Sequence, residues 1–231
     1  MSKADLKIDW ATHAAAKYAV ENWHYSENMP KSKLAKLGAW ESGKFIGSII
    51  FGVGANNNQA GAYGLGQNQC CELVRVALRN HKNSVSRIVA ISLKFIKKAF
   101  PGIRLIVSYA DPKQGHHGGI YQAGNWIYSG RSQAQSELLV DGVFVHKRTA
   151  HDRWGTASPE KIKAKTGKTV EWAPVEWKHV YLMPLDKEMS KQILPLSKPY
   201  PKRAGSDTKD TPPHQGGEGG STPTPALHSN P

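Results

Sequence analysis

The chain has 231 residues, of which 39% are hydrophobic, and its formal net charge at pH 7 is +13. This size and apolar content suffice for one main domain with a sizeable core. The longest apolar run, around residues 46–53, is too short and too interrupted by glycine to span a bilayer, so a membrane protein is not expected. Cys70 and Cys71 are the only cysteines, and neighbours in sequence rarely form a disulfide, which favours a reducing cytoplasm over secretion.

The positive charge belongs to the predicted folded part of the chain. From Pro201 onward, three bases are balanced by three acids, namely Lys202, Arg203 and Lys209 against Asp207, Asp210 and Glu218. A compact domain this basic is typical of a polyanion-binding protein, because neutralised phosphates release counterions and steer association. Nucleic acid is therefore the favoured partner, and a membrane surface or an acidic protein is the lesser alternative.

The first seventy residues are predicted to contain a strand, a helix and a hairpin. The strand is Leu6–Trp10, the helix is capped by Thr12 and extends to about Trp23, and the hairpin joins residues 37–40 to residues 45–53. His24 and Tyr25 stand at the end of the helix, either as an ordinary helix terminus or as a functional pair with a partner elsewhere. Residues 54–69 are rich in Gly, Asn and Gln, which predicts either a mobile substrate-facing loop or a long solvated connection.

A crossover unit is predicted next. Residues 70–78 and 103–109 have strand character, and between them a helix begins after Ser84 or Ser86 and ends before Pro101. A strand, a helix and a second strand in this order indicate a partly parallel sheet with a right-handed connection. Because Arg79 and Lys82 precede the helix, its amino terminus is expected to attract phosphate, and an ordinary capped turn is the alternative.

The stretch 109–126 is the densest in chemistry. It places Asp111, His116, His117, Tyr121 and Asn125 among several glycines, directly after the predicted strand. In open sheets ligands bind where strands end at their carboxyl side, and these groups supply acid, base, metal-ligand and hydrogen-bonding functions. A functional loop is therefore predicted here.

The second half contains a further hairpin, a basic segment and a tail. The hairpin occupies residues 137–146, a short helix begins after Ser158, and a last strand ends at Pro184. Bases and an aromatic stand together at residues 146–154, which suits phosphate contact with base stacking, although a solvated loop is the commoner explanation of such a run. The predicted DNA-binding residues are Lys147, Arg148, His151 and Arg153. Residues 1–197 are the predicted domain, and residues 198–231, rich in Pro, Gly, Ser and Thr, the predicted disordered tail.

Three motifs carry a resemblance to a known family. Residues 23–26 (WHYS), 72–78 (ELVRVAL) and 109–126 (YADPKQGHHGGIYQAGNW) resemble the Mom family of bacteriophage DNA-modification proteins over roughly residues 10–183. The element order also resembles the GNAT acyltransferase fold. The resemblance implies an α+β (α/β) domain whose central mixed twisted sheet is flanked by helices.

The same resemblance implies an enzyme that adds a methylcarbamoyl group to adenine N6 in double-stranded DNA. Such a modification protects viral DNA from host restriction, in the host cell cytoplasm, and the family suggests acetyl-CoA and iron as cofactors. Two alternatives stay open, an ordinary GNAT N-acetyltransferase acting on an amine and a non-enzymatic basic DNA-binding protein. The sequence does not give the oligomeric state.

The candidate residues follow from these motifs. Catalytic candidates are Asp111, Tyr121, Ser108 and Asn125, and the candidate iron ligands are His24, Tyr25 and Asp111. Cofactor candidates are Arg75, Arg79, Lys82, Ser84 and Ser86. GNAT proteins usually place glycines in this phosphate-binding loop, whereas residues 79–86 contain none, so charge from Arg79 and Lys82 would have to compensate. Asp111 as a loop-ordering acceptor and Tyr121 as a packed core aromatic are the alternative interpretations.

Overall fold

Ten strands and six helices make up the protein in the computed structural model, which describes residues 5–53, 58–133, 137–173 and 177–203. The strands are β1 Leu6–Trp10, β2 Leu34–Glu41, β3 Lys44–Gly52, β4 Cys70–Leu78, β5 Leu105–Ala110, β6 Ile127–Arg131, β7 Leu138–Val140, β8 Val143–Val145, β9 Val170–Trp172 and β10 His179–Pro184. The helices are α1 His13–Trp23, α2 Val85–Ala99, α3 Gly119–Gln122, α4 Lys147–Trp154, α5 Pro159–Thr166 and α6 Lys187–Ile193. No described helix is both long enough and apolar enough to cross a membrane.

The main sheet has seven strands in the order β1, β2, β3, β4, β5, β10 and β6. Among the described strand pairs only β4 and β5 are parallel, and they are joined through α2, which confirms the predicted crossover. Their ladder covers three residue pairs, from Cys70 with Leu105 to Glu72 with Val107. Beyond those pairs β4 continues to Leu78 beside β3, and β5 continues to Ala110 beside β10. The carboxyl halves of β4 and β5 therefore separate, and we call the gap between them the fork.

The two faces of the main sheet are covered by different helices. The apolar face of α2 packs on one side of the sheet, together with Ile106 of β5. On the other side, α6 packs against Leu105 and Val107. Side chains alternate along a strand, so Ser108 is expected on the α2 side and Tyr109 on the α6 side. Tyr109 does pack with the α6-side core.

A smaller unit is inserted between β6 and β10, which are neighbours in the main sheet. Its strands β7, β8 and β9 form a separate antiparallel sheet, and α4 and α5 complete it. Its buried residues form their own cluster, made of Leu138, Val140, Val145, Ala150 and Ile162. We call residues 137–173 the inserted module.

The α+β class with a central mixed sheet is confirmed, and two local expectations differ from the structure. The basic run at residues 147–154 is a helix and not a loop. Residues 58–69 hold two short 3-10 turns, at Gly61–Tyr63 and Gln67–Gln69, whereas 54–57 lie outside the described residues.

The domain also continues past its predicted end at residue 197. The backbone N–H of Lys198 donates to the carbonyl of Tyr128 at 2.8 Å, and the Tyr200 hydroxyl donates to that of Trp126 at 2.7 Å. These bonds fasten residues beyond the predicted boundary to β6 and to the segment before it. The rest of the predicted tail, residues 204–231, lies outside the described residues.

Candidate active site

The fork has a buried hydrogen-bonded pair at its base. The hydroxyl of Ser108 donates to the carbonyl of Leu73 at 2.9 Å, and its oxygen lies 2.7 Å from the hydroxyl of Tyr121. Because the serine has one proton and the carbonyl has none, the Tyr121 hydroxyl is the donor to Ser108. Burial raises the pKa of Tyr121 to about 12, and the hydrogen bond that Tyr121 shares with Ser108 opposes this increase. Tyr121 therefore stays protonated at neutral pH and acts as a hydrogen-bond donor.

Three aromatic rings lie together beside the fork, and we call them the aromatic ledge. The ring centroids of His24 and Tyr25 are 4.3 Å apart, and those of Tyr25 and His116 are 5.5 Å apart. The structure thus brings the end of α1 to the glycine-rich loop after β5, as the functional interpretation of His24 and Tyr25 required. Tyr25 keeps 52% of its surface exposed, so a flat substrate has a face on which to stack.

The protonation state of His24 follows from its neighbours. The backbone N–H of Ser26 points at Nδ1 of His24 at 3.1 Å, so that nitrogen is an acceptor and carries no proton. Burial, with the charges of Arg75 and His116, lowers the pKa of His24 to about 4. The imidazole is therefore neutral at physiological pH, with its single proton on Nε2.

Arg75 lies near His24 and brings a cation to the fork. Its Nη1 donates to the carbonyl of Val74 at 2.8 Å, and its buried Nε has no hydrogen-bond partner among the residues that the structure describes. The charge of Arg75 contributes to the lowered pKa of His24, and the cofactor role predicted for Arg75 together with Arg79 remains a prediction. An N–H that is buried and unpaired suits a substrate oxygen that enters the fork.

The loop after β5 is held by Tyr181 of β10. The hydroxyl of Tyr181 donates to the carbonyl of His117, and the side-chain amide of Gln122 lies 3.1 Å from the same hydroxyl. Gly118 has φ +88° and a Cβ on it would lie 2.2 Å from the Tyr181 ring, so only glycine fits there. This packing fixes the loop that carries His116 and Tyr121.

Asp111 is placed as a loop-ordering acceptor. Its carboxylate accepts from the backbone N–H of Lys113 at 3.0 Å and lies 3.5 Å from the ammonium of Lys178. Strand alternation places it on the opposite side of the sheet from Ser108. Asn125, exposed at φ +57°, occupies the left-handed turn before β6, a conformation that asparagine tolerates. The catalytic roles predicted for both residues remain predictions.

The predicted iron ligands do not fit a metal ion in this arrangement. Within the described ranges, no group of three or more His, Cys, Asp or Glu is arranged to hold a metal. Nδ1 of His24 already accepts from the backbone N–H of Ser26, and the carboxylate of Asp111 is engaged by Lys178. We therefore derive no step through iron.

The connection between β4 and α2 contains the remaining cofactor candidates and an unexpected anion. Glu41, at the end of β2, accepts from the backbone N–H groups of Lys82 and Asn83 at 2.7 Å each and from the Asn83 side chain at 2.8 Å. Ser84 caps α2 by accepting from Arg87 N–H, and the Ser86 hydroxyl donates to Ser84.

A phosphate cradled by this connection would need the same backbone N–H groups that Glu41 occupies. The buried carboxylate would also repel it. The connection does not fit a pyrophosphate held by the backbone, and no step is routed through coenzyme A. Only the side chains of Arg79 and Lys82, both exposed, remain for such a contact.

The predicted DNA-binding residues lie together on α4 of the inserted module. Arg148, His151 and Arg153 are exposed, and the ammonium of Lys147 lies 4.9 Å from the centroid of the Trp172 ring. Their role in DNA binding remains a prediction.

Sequence reasoning missed Glu41, Ser26 and Tyr181 as determinants of the site. Glu41 looked like a residue of the hairpin turn at 41–44, and Tyr181 like one more apolar position in the last strand. Ser26 stood inside the WHYS motif, but only its contacts with Nδ1 of His24, through the backbone N–H and the hydroxyl, show its role. Long-range pairing decides the roles of Glu41 and Tyr181, whereas the role of Ser26 rests on a local contact two residues from His24.

A mixed sheet with a splayed parallel pair, lined at the fork by polar and aromatic side chains, defines an α/β protein with a polar cleft suited to a flat, hydrogen-bonding substrate. The chain belongs to the Mom protein family, whose model matches residues 5–202. It is 26% identical over 149 residues to the methylcarbamoylase mom of Escherichia phage Mu. That match covers 63% of this chain and 61% of the relative, so less than two thirds of the relative's length is spanned.

Solved structures of acetyltransferases are also similar to the chain. An acetyltransferase described as putative from Acinetobacter baylyi ADP1 superposes with a TM-score of 0.44 at 14% identity, covering 80% of this chain and 95% of that one. A spermidine/spermine N-acetyltransferase from Vibrio cholerae superposes with a TM-score of 0.42 at 8% identity, covering 81% and 95%.

Proposed function

We propose that this protein transfers a methylcarbamoyl group to N6 of adenine in DNA and so shields phage DNA from restriction in the host cytoplasm. The observation that carries the proposal is the convergence, at the fork, of the buried Ser108 and Tyr121 pair with the aromatic ledge. Membership of the Mom family and the likeness to a methylcarbamoylase support it. The net charge of +13 agrees with a polyanionic substrate.

The residues of the fork suit an extruded adenine. Enzymes that modify a base generally take it out of the stack and hold it between an aromatic face and hydrogen-bonding groups. Tyr25 offers an exposed face, and the protonated Nε2 of His24 offers a donor. In this proposal these groups bind and orient the base, and the Nε–H of Arg75 donates a hydrogen bond to an oxygen of the incoming group.

The source of the methylcarbamoyl group is specified only by its chemical class. Acetyl-CoA, the donor that the family resemblance implies, would supply the two-carbon unit only together with a two-electron oxidant, because adenine N6 becomes bonded to what was the methyl carbon. Contact with its phosphates would fall to the side chains of Arg79 and Lys82, because Glu41 takes the backbone N–H groups. The nitrogen of the methylcarbamoyl group needs a separate source.

Mass spectrometry of nucleosides tests the proposal. DNA from cells that express the wild-type protein should contain deoxyadenosine with an N6 acetamido group, and DNA from cells that express Ser108→Ala at equal level should contain at least tenfold less. Unmodified DNA together with acetylation of an added polyamine would replace the proposal with an ordinary acetyltransferase. DNA binding without any product would leave a non-enzymatic binding protein.

A further inference from the structure

Every charged residue of α2 is basic. From Leu73 to Ala110 the chain has no acidic residue but eight basic ones, namely Arg75, Arg79, Lys82, Arg87, Lys94, Lys97, Lys98 and Arg104. Four of them, Arg87, Lys94, Lys97 and Lys98, are exposed on α2, and we call these four the α2 basic stripe. At 100° per residue they fall within about 100° of one another around the helix axis, opposite the buried face.

The stripe is not neutralised by the protein itself. None of its four side chains forms an ion pair or a side-chain hydrogen bond with another described residue, whereas other bases do. Arg104 pairs with Asp186 at 2.8 Å, and Lys168 pairs with Asp141 at 2.5 Å. Within the stripe, Lys94 stands three and four residues before Lys97 and Lys98, a spacing at which like charges repel. An exposed helix that serves only solubility usually mixes both signs, so this arrangement favours an external anion.

The length of the α2 basic stripe and its position beside the fork favour the phosphate backbone of a nucleic acid as the anion that it binds. Arg87 and Lys98 are eleven residues apart, which is about 16 Å of helix, and over that length one DNA strand carries about five phosphates. Arg87 stands in the first turn of α2, which begins just after β4 ends, at the carboxyl edge where the fork opens. A duplex that follows the stripe therefore passes the candidate active site.

We propose that the α2 basic stripe is the main contact of this protein with the phosphate backbone of duplex DNA. The inference rests on the proposed function and adds a surface that the sequence did not predict. The inserted module, where DNA binding was predicted, is less one-sided in charge. The module contains seven bases and five acids. The bases are Lys147, Arg148, Arg153, Lys161, Lys163, Lys165 and Lys168, and the acids are Glu137, Asp141, Asp152, Glu160 and Glu171.

Two triple variants with the same change in charge test the stripe. One is Lys94→Gln, Lys97→Gln and Lys98→Gln on α2, and the control is Lys161→Gln, Lys163→Gln and Lys165→Gln on α5, all at exposed positions. Fluorescence anisotropy with a labelled duplex of unrelated sequence gives the affinity from low to moderate salt. The slope of log affinity against log salt is negative. The α2 variant should reduce its magnitude by about 2.7, which is 0.9 for each of three phosphate contacts, and the control should leave it near the wild-type value.

Several outcomes would overturn the stripe. Equal losses in both variants would mean that net charge alone matters, and a loss confined to the control would move the contact to the module. Binding of both variants to vesicles that contain phosphatidylserine is measured for comparison. Unchanged DNA binding by the α2 variant, or a loss seen in vesicle binding alone, would also refute the proposal. Thermal unfolding checks that both variants stay folded. Nucleoside analysis separates the proposed DNA contact from the proposed enzymatic function. Salt-dependent DNA binding through α2 without adenine modification would contradict only the proposed function.

Discussion

Glu41 and Asn83 are joined by two hydrogen bonds across forty-two residues of sequence. The same carboxylate oxygen accepts from the backbone N–H of Asn83 at 2.7 Å and from its side-chain amide at 2.8 Å. Glu41 is only 6% exposed, so an internal anion organises the segment that leads into α2. The connection between β4 and α2 thereby keeps its shape without the glycines that a phosphate-binding loop requires.

Replacing Glu41 by Gln should destabilise the protein by roughly 1.5–3 kcal/mol, the usual contribution of hydrogen bonds to a charged group. Burial opposes ionisation of Glu41, but the N–H donors of Lys82 and Asn83 outweigh it and hold the pKa of the carboxyl below its ordinary value. A carboxyl with a depressed pKa stabilises the fold above its unfolded pKa of 4.5, and this contribution is lost as the pH falls through the folded pKa. Urea unfolding at pH 7 and below pH 4.5 measures both effects.

The matched control for this change is Glu21→Gln, on the exposed surface of α1. Glu21 forms a surface ion pair with Lys17, at 3.6 Å, and such pairs contribute little. We expect a difference between wild type and Glu41→Gln that shrinks in acid. A constant difference at every pH would show that shape, and not charge, explains the role of Glu41.

Tyr121→Phe should reduce DNA modification by about two orders of magnitude or more if its hydroxyl serves the reaction, as expected for a positioned proton donor. The fold should survive, because the ring still fills the core and Ser108 still donates to Leu73. The control is Tyr128→Phe, which removes another buried hydroxyl, one bonded to His179 at 3.0 Å. Nucleoside analysis and thermal unfolding are the measurements. Equal losses of activity in both variants would reduce Tyr121 to a packing residue.

The pairing of Asp111 with Lys178 makes the role of Asp111 testable by a double-mutant cycle. If the carboxylate acts by holding Lys178 and the loop, then Asp111→Asn, Lys178→Gln and the double variant should lower activity by the same factor. We expect this result, because the carboxylate is already engaged on the side of the sheet opposite Ser108. Complete loss in Asp111→Asn with near-normal activity in Lys178→Gln would instead restore the predicted catalytic role.

Truncation at two points should locate the true end of the domain. A chain that ends at Arg203 should keep wild-type stability, whereas one that ends at Ser197 should lose about 2–3 kcal/mol, near 1 kcal/mol for each hydrogen bond removed. Those bonds are Lys198 N–H to Tyr128, Tyr200 hydroxyl to Trp126, and the Gln122 amide to the carbonyl of Pro201. Urea unfolding compares the two chains, and equal stabilities would return the boundary to residue 197.

Local patterns predicted the elements of this fold well. The Thr12 and Ser84 caps, the hairpin at residues 41–44 and the crossover from β4 to β5 all follow from side-chain type and spacing. The helix at Lys147–Trp154 was not predicted, because its sequence has few apolar positions and its stability comes from Ala150 packing into the module core.

The site was only partly predictable, because its geometry depends on pairing between distant segments. The sequence placed Tyr121 and His24 in functional motifs, and the structure brings both to the fork. It could not show that Asp111 points at Lys178, since two strands must pair before those side chains meet. The protonation of His24 likewise depends on a backbone N–H whose direction no residue pattern encodes.

The point at which the inserted module leaves the sheet has an evolutionary consequence. Arg131 and His179 are cross-strand partners, so the chain departs from and returns to the scaffold at one place, about 5 Å apart. Such a junction tolerates insertions and replacements, because the intervening segment can lengthen, shorten or be exchanged without a change in the register of β6 and β10. Relatives built on this scaffold can therefore diversify the inserted segment while the residues of the fork stay under separate selection.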